Sequence, residues 1–349
     1  MTLKKPLFLF LSLIVGLSAI AQLGGSKTYM FLNMSNSARV SALGGNYVPV
    51  YDHDITLAYS NPSLISDEMH NQLSINYLNY FSDVNAGFLA YGRNFKKTGT
   101  LVATLQFLTY GDFIERDDVG RDLGNFKANE YALTIGWSKK LTDHLQLGVN
   151  LKNIYSKLET YSSYGIASDI SLSYIDKEKG LTSSLIIKNI GRQISSYNGG
   201  SKEPIPFEIQ WGTSKKFEHA PFRLVLLINN LQKWDLTYSD PNKEDEIDPF
   251  TGEPITNGKT WDFGNKLMRH AIFGVEFAPG KGNFLLQLAY NYQRRQELKI
   301  ASRAAMVGFS FGFGIKISKF KLSYSHANYH LAAGTDTFTI TTNFADFLK

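Results

Sequence analysis

The chain has 349 residues, no cysteine, 43% hydrophobic residues and a formal net charge of +5. The lack of cysteine excludes disulfides, thiolate zinc sites and cysteine nucleophiles, and the scattered basic residues make no nucleic-acid footprint. Mean hydropathy is only −0.18, yet the 24 Phe and 19 Tyr are residue types of strands and of the aromatic girdles of membrane barrels.

Residues 1–21 read as a secretory signal: Lys4 and Lys5 form the basic start, PLFLFLSLIVGL the apolar centre, and Ala19-Ile20-Ala21 the small-x-small cleavage box. No later run approaches the roughly 18 apolar residues that a spanning helix needs. Residues 22–70 lack sustained alternation and carry SARVSALGG (37–45), a D-x-D pair at Asp52 and Asp54, and Asn61-Pro62. Gly44-Gly45 and Asn61-Pro62 both demand turns. Irregular backbone cannot face lipid, so this segment is expected as a plug inside a barrel lumen; a soluble periplasmic arm is the alternative.

From residue 71 onward the chain alternates. In FLLQLAYNY (284–292) Phe284, Leu286, Leu288, Tyr290 and Tyr292 share one face, while Leu285, Gln287, Ala289 and Asn291 share the other. In 305–317 the large residues Val307, Phe309, Phe311, Phe313, Ile315 and Ile317 interleave with Gly308, Ser310, Gly312, Gly314 and Lys316. A soluble sandwich puts its bulky apolar face inside, against a second sheet of interdigitating residues. Here the opposite face is small and polar, which suits a lumen with the greasy face turned to lipid.

Fourteen such segments are counted, at 72–81, 85–94, 99–110, 128–138, 144–156, 164–175, 181–190, 205–216, 221–231, 268–277, 283–293, 304–315, 319–327 and 336–346. An even count, short links after even segments and longer links after most odd ones are the pattern of bacterial outer-membrane barrels. The expected fold is therefore all-β: a 14-stranded antiparallel transmembrane β-barrel (71–349) with the N-terminal segment in its lumen, integral to the outer membrane and surrounded by its lipid.

Lumen-directed charges are expected at Asp169, Lys188, Glu208, Arg223, Arg269 and Glu276, with Arg39, Asp52 and Asp54 as partners and Asn61-Pro62 as a further plug contact. Such charges form either a structural lock between plug and wall or a ligand or transport path. Loop 232–267 is long and acidic and carries Trp234, Asp235, Phe250 and Trp261. It is either a solvated loop or a docking surface, for which aromatic anchors argue. The seven His are dispersed; His326 and His330 have ligand spacing only on a helix, whereas the segment reads as strand. Ser325 and His326 are adjacent on a strand and point to opposite faces, so they form no hydrolase pair. Nothing calls for a cofactor, a metal or catalysis.

FLNMSNSARVSALGG (31–45), the D-x-D and NPS of 52–63, LTYGDF (108–113), KNIGRQISSY (188–197), APFRLVLLINNLQKWDLTY (220–238), LMRHAIFGVEF (267–277) and YNYQRRQEL (290–298) together carry a resemblance. The chain resembles the outer-membrane long-chain fatty-acid transporter (FadL-like) superfamily, and more closely the PorQ-like barrels of the type IX secretion system of Bacteroidota. That resemblance implies an outer-membrane scaffold of the cell-surface attachment complex, anchoring a PorZ-like surface protein alongside the PorU sortase and its barrel partner PorV. That complex links secreted cargo proteins to lipopolysaccharide. The PorQ-like family assigns no catalytic residues, so none are carried over. The wider superfamily implies the alternative, transport of fatty acids or other hydrophobic solutes.

Overall fold

The structure is a computed structural model that describes residues 27–45, 48–80, 83–237, 259–280, 283–298, 306–328 and 334–347. The signal sequence at 1–21, Phe250 and His330 lie outside the described residues.

Fourteen antiparallel strands close into one barrel, each bonded to its sequence neighbours, with the first paired to the last. The first strand, β1 (Gln72–Asn79), is short; the tall side of the wall is β2 (Asn85–Phe95), β3 (Gly99–Arg116), β4 (Asp122–Lys140), β5 (Leu145–Leu158), β6 (Tyr161–Asp176) and β7 (Leu181–Ser195). The lower side is β8 (Glu208–Lys216), β9 (Phe222–Ile228), β10 (Ala271–Phe277), β11 (Phe284–Asn291), β12 (Phe309–Ile317), β13 (Phe320–Ala327) and β14 (Thr335–Asn343). Every segment expected from alternation is one of these strands. The end with the short turns and the chain's last strand is the periplasmic end, as in bacterial barrels.

Alternation translates directly into sidedness. On β11, Phe284, Leu286 and Leu288 are exposed while Leu285, Gln287 and Ala289 are buried; on β12, Phe311, Phe313 and Ile315 are exposed opposite buried Ser310. Side chains of a strand alternate, so one face must lie outside and the other inside. The exposed face is a continuous apolar band on a closed sheet, and no open edge is left. This is an integral outer-membrane barrel.

Three expected boundaries differ. Residues 111–127, expected as a loop, extend β3 and β4 into a hairpin that turns only at 117–121. Both faces of this hairpin stand clear of the membrane, so its residues need no alternation; Lys127–Asp112 (3.3 Å), Arg116–Asp122 (3.2 Å) and the stacked rings of Phe113 and Phe126 (5.1 Å) hold it instead. The link 157–163 shrinks to a turn between Leu158 and Tyr161. Conversely, β9 stops at Ile228, because Asn229 turns to bond His270 and Asn230 adopts a left-handed backbone (φ 54°).

Residues 27–45 and 48–70 form short turns and one five-residue helix, α1 (Ala38–Ala42), inside the barrel. Leu32, Leu43, Ile55, Leu57, Leu64 and Ile65 of this segment are all fully buried. The segment runs from Lys27, beside Asn229 and Asn291 at the outer end, to Asp67, bonded to Thr100 at the periplasmic end.

Phe313 lies mid-strand on the lipid face, its ring 5.6 Å from that of Tyr324. Phe313→Arg is expected to cost ~2–4 kcal/mol in urea unfolding from lipid vesicles, the cost of a cation at the bilayer midplane.

Candidate functional site: the filled lumen and its two ends

The lumen accepts the N-terminal segment because its wall is made of small residues at the points of contact. Ser37 caps α1 by accepting the Val40 amide, and Ala38 N–H donates to Thr339 Oγ1 (2.8 Å) on β14. Ser310 Oγ on β12 donates to the Ala42 carbonyl (3.0 Å). A side chain at Gly312 would overlap Ala42, and Gly44 holds a backbone angle (φ 105°) that favours glycine. The SARVSALGG run is therefore a small-residue helix pressed on the wall and ended by a left-handed turn.

The second contact is the NPS turn. Asn61 Oδ1 accepts from the Ser63 amide (3.2 Å) and from its hydroxyl (2.7 Å), capping the turn Pro62–Leu64. Ser63 N–H also donates to Ser171 Oγ (2.8 Å), and its hydroxyl meets Ser173 Oγ (2.6 Å), both on β6. A Cβ on Gly148 of β5 would overlap the Ser63 amide. Asn61 and Pro62 shape this turn, while Ser63 makes the polar contacts with the wall.

Between these contacts sits a charged network. Arg39 of α1 gives Nε to Glu276 Oε1 (2.8 Å) and Nη2 to Glu276 Oε2 (3.0 Å) on β10. The same guanidinium bonds Asp52 (2.7 Å) and Asp54 (3.1 Å). Arg223 of β9 reaches Glu276 (2.6 Å) and Asp52 (3.4 Å), and Lys321 of β13 reaches Asp54 (2.8 Å). Gln287 donates to Glu276 (3.2 Å). Three cations thus face three carboxylates, with Arg39 and Glu276 almost fully enclosed. Charges so buried are tolerable only when paired and hydrogen-bonded. The structure brings together Arg39, Asp52, Asp54, Arg223 and Glu276. Lys321 and Gln287 were not anticipated; their signal is the inward parity of their strands.

A second network lies in the opposite wall. Lys152 Nζ and Asp169 Oδ2 pair at 2.8 Å, with both side chains fully buried. The Asn189 amide donates to Asp169 Oδ1 (2.8 Å), where β7 fits two residues against one of β6, and Asn150 Nδ2 donates to Oδ2 (3.1 Å). This β-bulge gives Asn189 its left-handed backbone (φ 55°) and the backbone donor that Asp169 takes. Lys188 and Glu208 are buried cross-strand partners nearby. Arg269, expected in the wall, instead ends a helix, α2 (Lys259–Arg269), at the outer end. Lys152 was the missing partner in the sequence.

At that outer end α2 packs beside the chain leaving β9. Trp234 lies over His270 (5.9 Å) and near Phe263 (5.4 Å), and His270 bonds the carbonyls of Asn229 (2.6 Å) and Trp234 (3.0 Å). Lys266 joins Asp235 (3.0 Å) to Asp262 (2.9 Å). Burial pushes the Asp235 carboxyl up, but the Thr237 amide and Lys266 outweigh it and hold it at about 2, below the ordinary 3.8. Trp234 is 50% exposed, Phe263 58% and Trp261 66%. On the outer face of β13, His326 bonds Asp336 Oδ1 (2.9 Å), whereas Ser325 is buried inside.

No protein-family model matches the chain, and no curated protein matches it. Among solved structures it is similar to a deltaS2 mutant of the TodX monoaromatic hydrocarbon channel, at 13% identity over 89% of this chain and 99% of that one, with a TM-score of 0.51. It is also similar to the Pseudomonas putida toluene transporter TodX, at 12% identity over 88% and 96%, TM-score 0.49. A Pseudomonas aeruginosa FadL homologue matches at 12% identity over 89% and 98%, TM-score 0.45. The first likeness shows a shared fold alone, that of a closed antiparallel β-barrel.

Two outcomes follow. Asp169→Asn leaves Lys152 buried without its counter-charge and is expected to cost ~3–5 kcal/mol in urea unfolding; Lys152→Met/Asp169→Leu should recover much of that loss. The folded carboxyl of Asp235 is depressed, so its tie to Lys266 is fully present above pH 3.8 and is lost as pH falls through about 2. Fluorescence of Trp234 and Trp261, with Trp137 and Trp211 replaced by Phe, is expected to change as pH falls below about 4, and Lys266→Ala to remove that change.

Proposed function

We propose that this protein is a closed outer-membrane scaffold whose outer end holds a surface protein. The reading that fits is the PorQ-like one: a member of the type IX attachment complex anchoring a PorZ-like partner beside PorU and PorV. One observation carries it: the lumen is occupied by residues 27–45 and 48–70, tied to the wall by the Arg39 network and the NPS turn. A lumen crossed by buried ion pairs is poorly suited to passing solutes, since each pair would have to be broken and its charges left uncompensated. What remains for work is what protrudes. The exposed Trp234, Trp261 and Phe263 are the residue types that anchor protein interfaces, and the β3–β4 hairpin is a second projection at the same end, six strands away around the wall.

A second reading, passage of hydrophobic solutes, is favoured by the apolar cluster of Tyr29, Phe31, Leu32, Leu108 and Ile154 in the outer half of the lumen and by the shared fold with a monoaromatic hydrocarbon channel. The test separates the two. Tagged barrel drawn from solubilised outer membrane is expected to recover a surface protein, and Trp261→Ala/Phe263→Ala to weaken that recovery by ~2 kcal/mol or more, as interface anchors do. Vesicles carrying the wild-type barrel are expected to take up labelled fatty acid or toluene no faster than empty vesicles. Uptake by the wild type, with no partner recovered, would establish the transport reading instead.

A further inference from the structure

The periplasmic mouth contains a cavity of 440 Å³ that neither the filled lumen nor the outer end requires. Six cationic side chains line it against four carboxylates: Arg39, Lys216, Arg223, Lys316, Lys319 and Lys321 facing Asp52, Asp54, Glu276 and Asp346. Arg39, Arg223 and Lys321 are already committed to Asp52, Asp54 and Glu276. Lys319 lies over the Phe347 ring at 4.6 Å. That leaves Lys216 and Lys316, with Lys319, as positive charge aimed at the mouth.

The strand register makes this surplus deliberate. On β8 and β9, Lys216 stands directly opposite Arg223; on β12 and β13, Lys316 stands directly opposite Lys321. All four occupy inward positions, two residues on from buried Ser214, two before buried Val225, and in step with Ser310 and Ser325. Like charges directly opposite each other on one sheet face destabilise it. In each pair one member is already met by a carboxylate, Arg223 by Glu276 and Asp52 and Lys321 by Asp54, so the charge left for an anion in the cavity is that of Lys216 and Lys316. Lysines act as compact point charges that suit phosphate, whereas planar carboxylates are better met by the arginine fork. Here both forks are occupied. The cavity's size is in the range of small-ligand sites.

We propose that the periplasmic mouth is a binding site for a phosphate-bearing anion, held by Lys216, Lys316 and Lys319 beside the Arg39 network. Two sources share that chemistry: the headgroup of an anionic phospholipid of the inner leaflet, and a free periplasmic phosphate ester. The site does not depend on whether the outer end holds a partner.

The test uses the whole barrel. In neutral phosphatidylcholine nanodiscs, glycerol 3-phosphate is titrated by calorimetry; from detergent, retention of phosphatidylglycerol against phosphatidylcholine is read by native mass spectrometry. Binding in either arm is expected to weaken at least about tenfold in Lys216→Ala/Lys316→Ala, the worth of roughly one charge-assisted hydrogen bond. It is expected to be unchanged in Lys96→Ala/Lys97→Ala on another periplasmic turn. Calorimetric binding identifies the free ester as the source, and selective retention identifies the lipid. Heat-shifted electrophoresis reports that each variant is folded, and a salt titration of the wild type gives a readout free of mutation. The proposal is overturned if neither arm shows binding, if the double variant binds as the wild type does, if affinity does not fall with added salt, or if a glutamate-rich peptide binds more tightly than either phosphate probe.

Discussion

A single guanidinium sets the terms for the inside of this barrel. Arg39 is enclosed in the lumen and divides its donors among Glu276 of the wall and Asp52 and Asp54 of its own segment. Withdrawing such a group from water costs several kcal/mol, and that cost is met only if the carboxylates arrive together with good geometry. The wall partner comes from β10, while the other two come from the stretch that follows α1. Folding the segment and closing the wall are thereby coupled: neither side of the network is satisfied until the other is in place. Arg223 and Lys321 extend this coupling to β9 and β13, so that the lower wall, with its short strands, is fastened to the segment it encloses.

Geometry permits this because the inner face of the wall is small where the segment touches it, while Leu108, Ile154, Ile186, Leu227 and Ile272 fill the inside elsewhere. Gly148, Gly312 and Gly92 each lie where a Cβ would overlap the segment's backbone or side chains. A sheet lined with Leu or Phe would hold the segment several ångströms away, beyond hydrogen-bonding reach. The same residues explain the outside. Most of the large apolar side chains occupy the other parity of the strands, and there they face hydrocarbon. A polar or small face at the contacts within and an apolar band without are one constraint seen from two sides, and it inverts the arrangement of a soluble sandwich.

That constraint is also why so much of the fold could be read from the sequence. Alternation needs no knowledge of partners, and it located all fourteen strands. It failed where the constraint lapses. Residues 111–127 stand above the membrane with both faces wet, so nothing forced them to alternate, and cross-strand ion pairs and a ring stack stabilise them instead. Asn229 and Asn230 ended β9 early for reasons held in backbone angles and a contact with His270. Within the lumen, a charge on or beside a strand position with apolar neighbours marked Arg223, Glu276 and Asp169, and Arg39 and Asp52 of the N-terminal segment were expected as partners. Which of them meet is a matter of register and of the path of the irregular segment, and neither is periodic. Lys321 and Lys152 escaped notice because a lysine at an inward position looks like any other lysine until its neighbours are known. Arg269 was misplaced because a short apolar run before β10 reads equally as strand or as the last turn of a helix.

A filled lumen moves chemistry to the two ends, and the ends are not alike. At the outer end the charge is mixed and the prominent groups are aromatic: Trp234 packs against Phe263 of a helix tied down by Asp235 and Lys266, and Trp261 is exposed to water. At the periplasmic end the prominent groups are lysines, and two of the cross-strand pairs set like charges face to face. Aromatic anchors on a rigid base suit a protein partner that must be held for long periods, since they bring contact area at little entropic cost. A ring of lysines around a small cavity suits an anion of low mass. The charged network between them lies against the periplasmic cavity and touches α1, which rests on the strands leading to the outer end. An anion held at the mouth by Lys216, Lys316 and Lys319 would share one electrostatic environment with the pairing of Arg39.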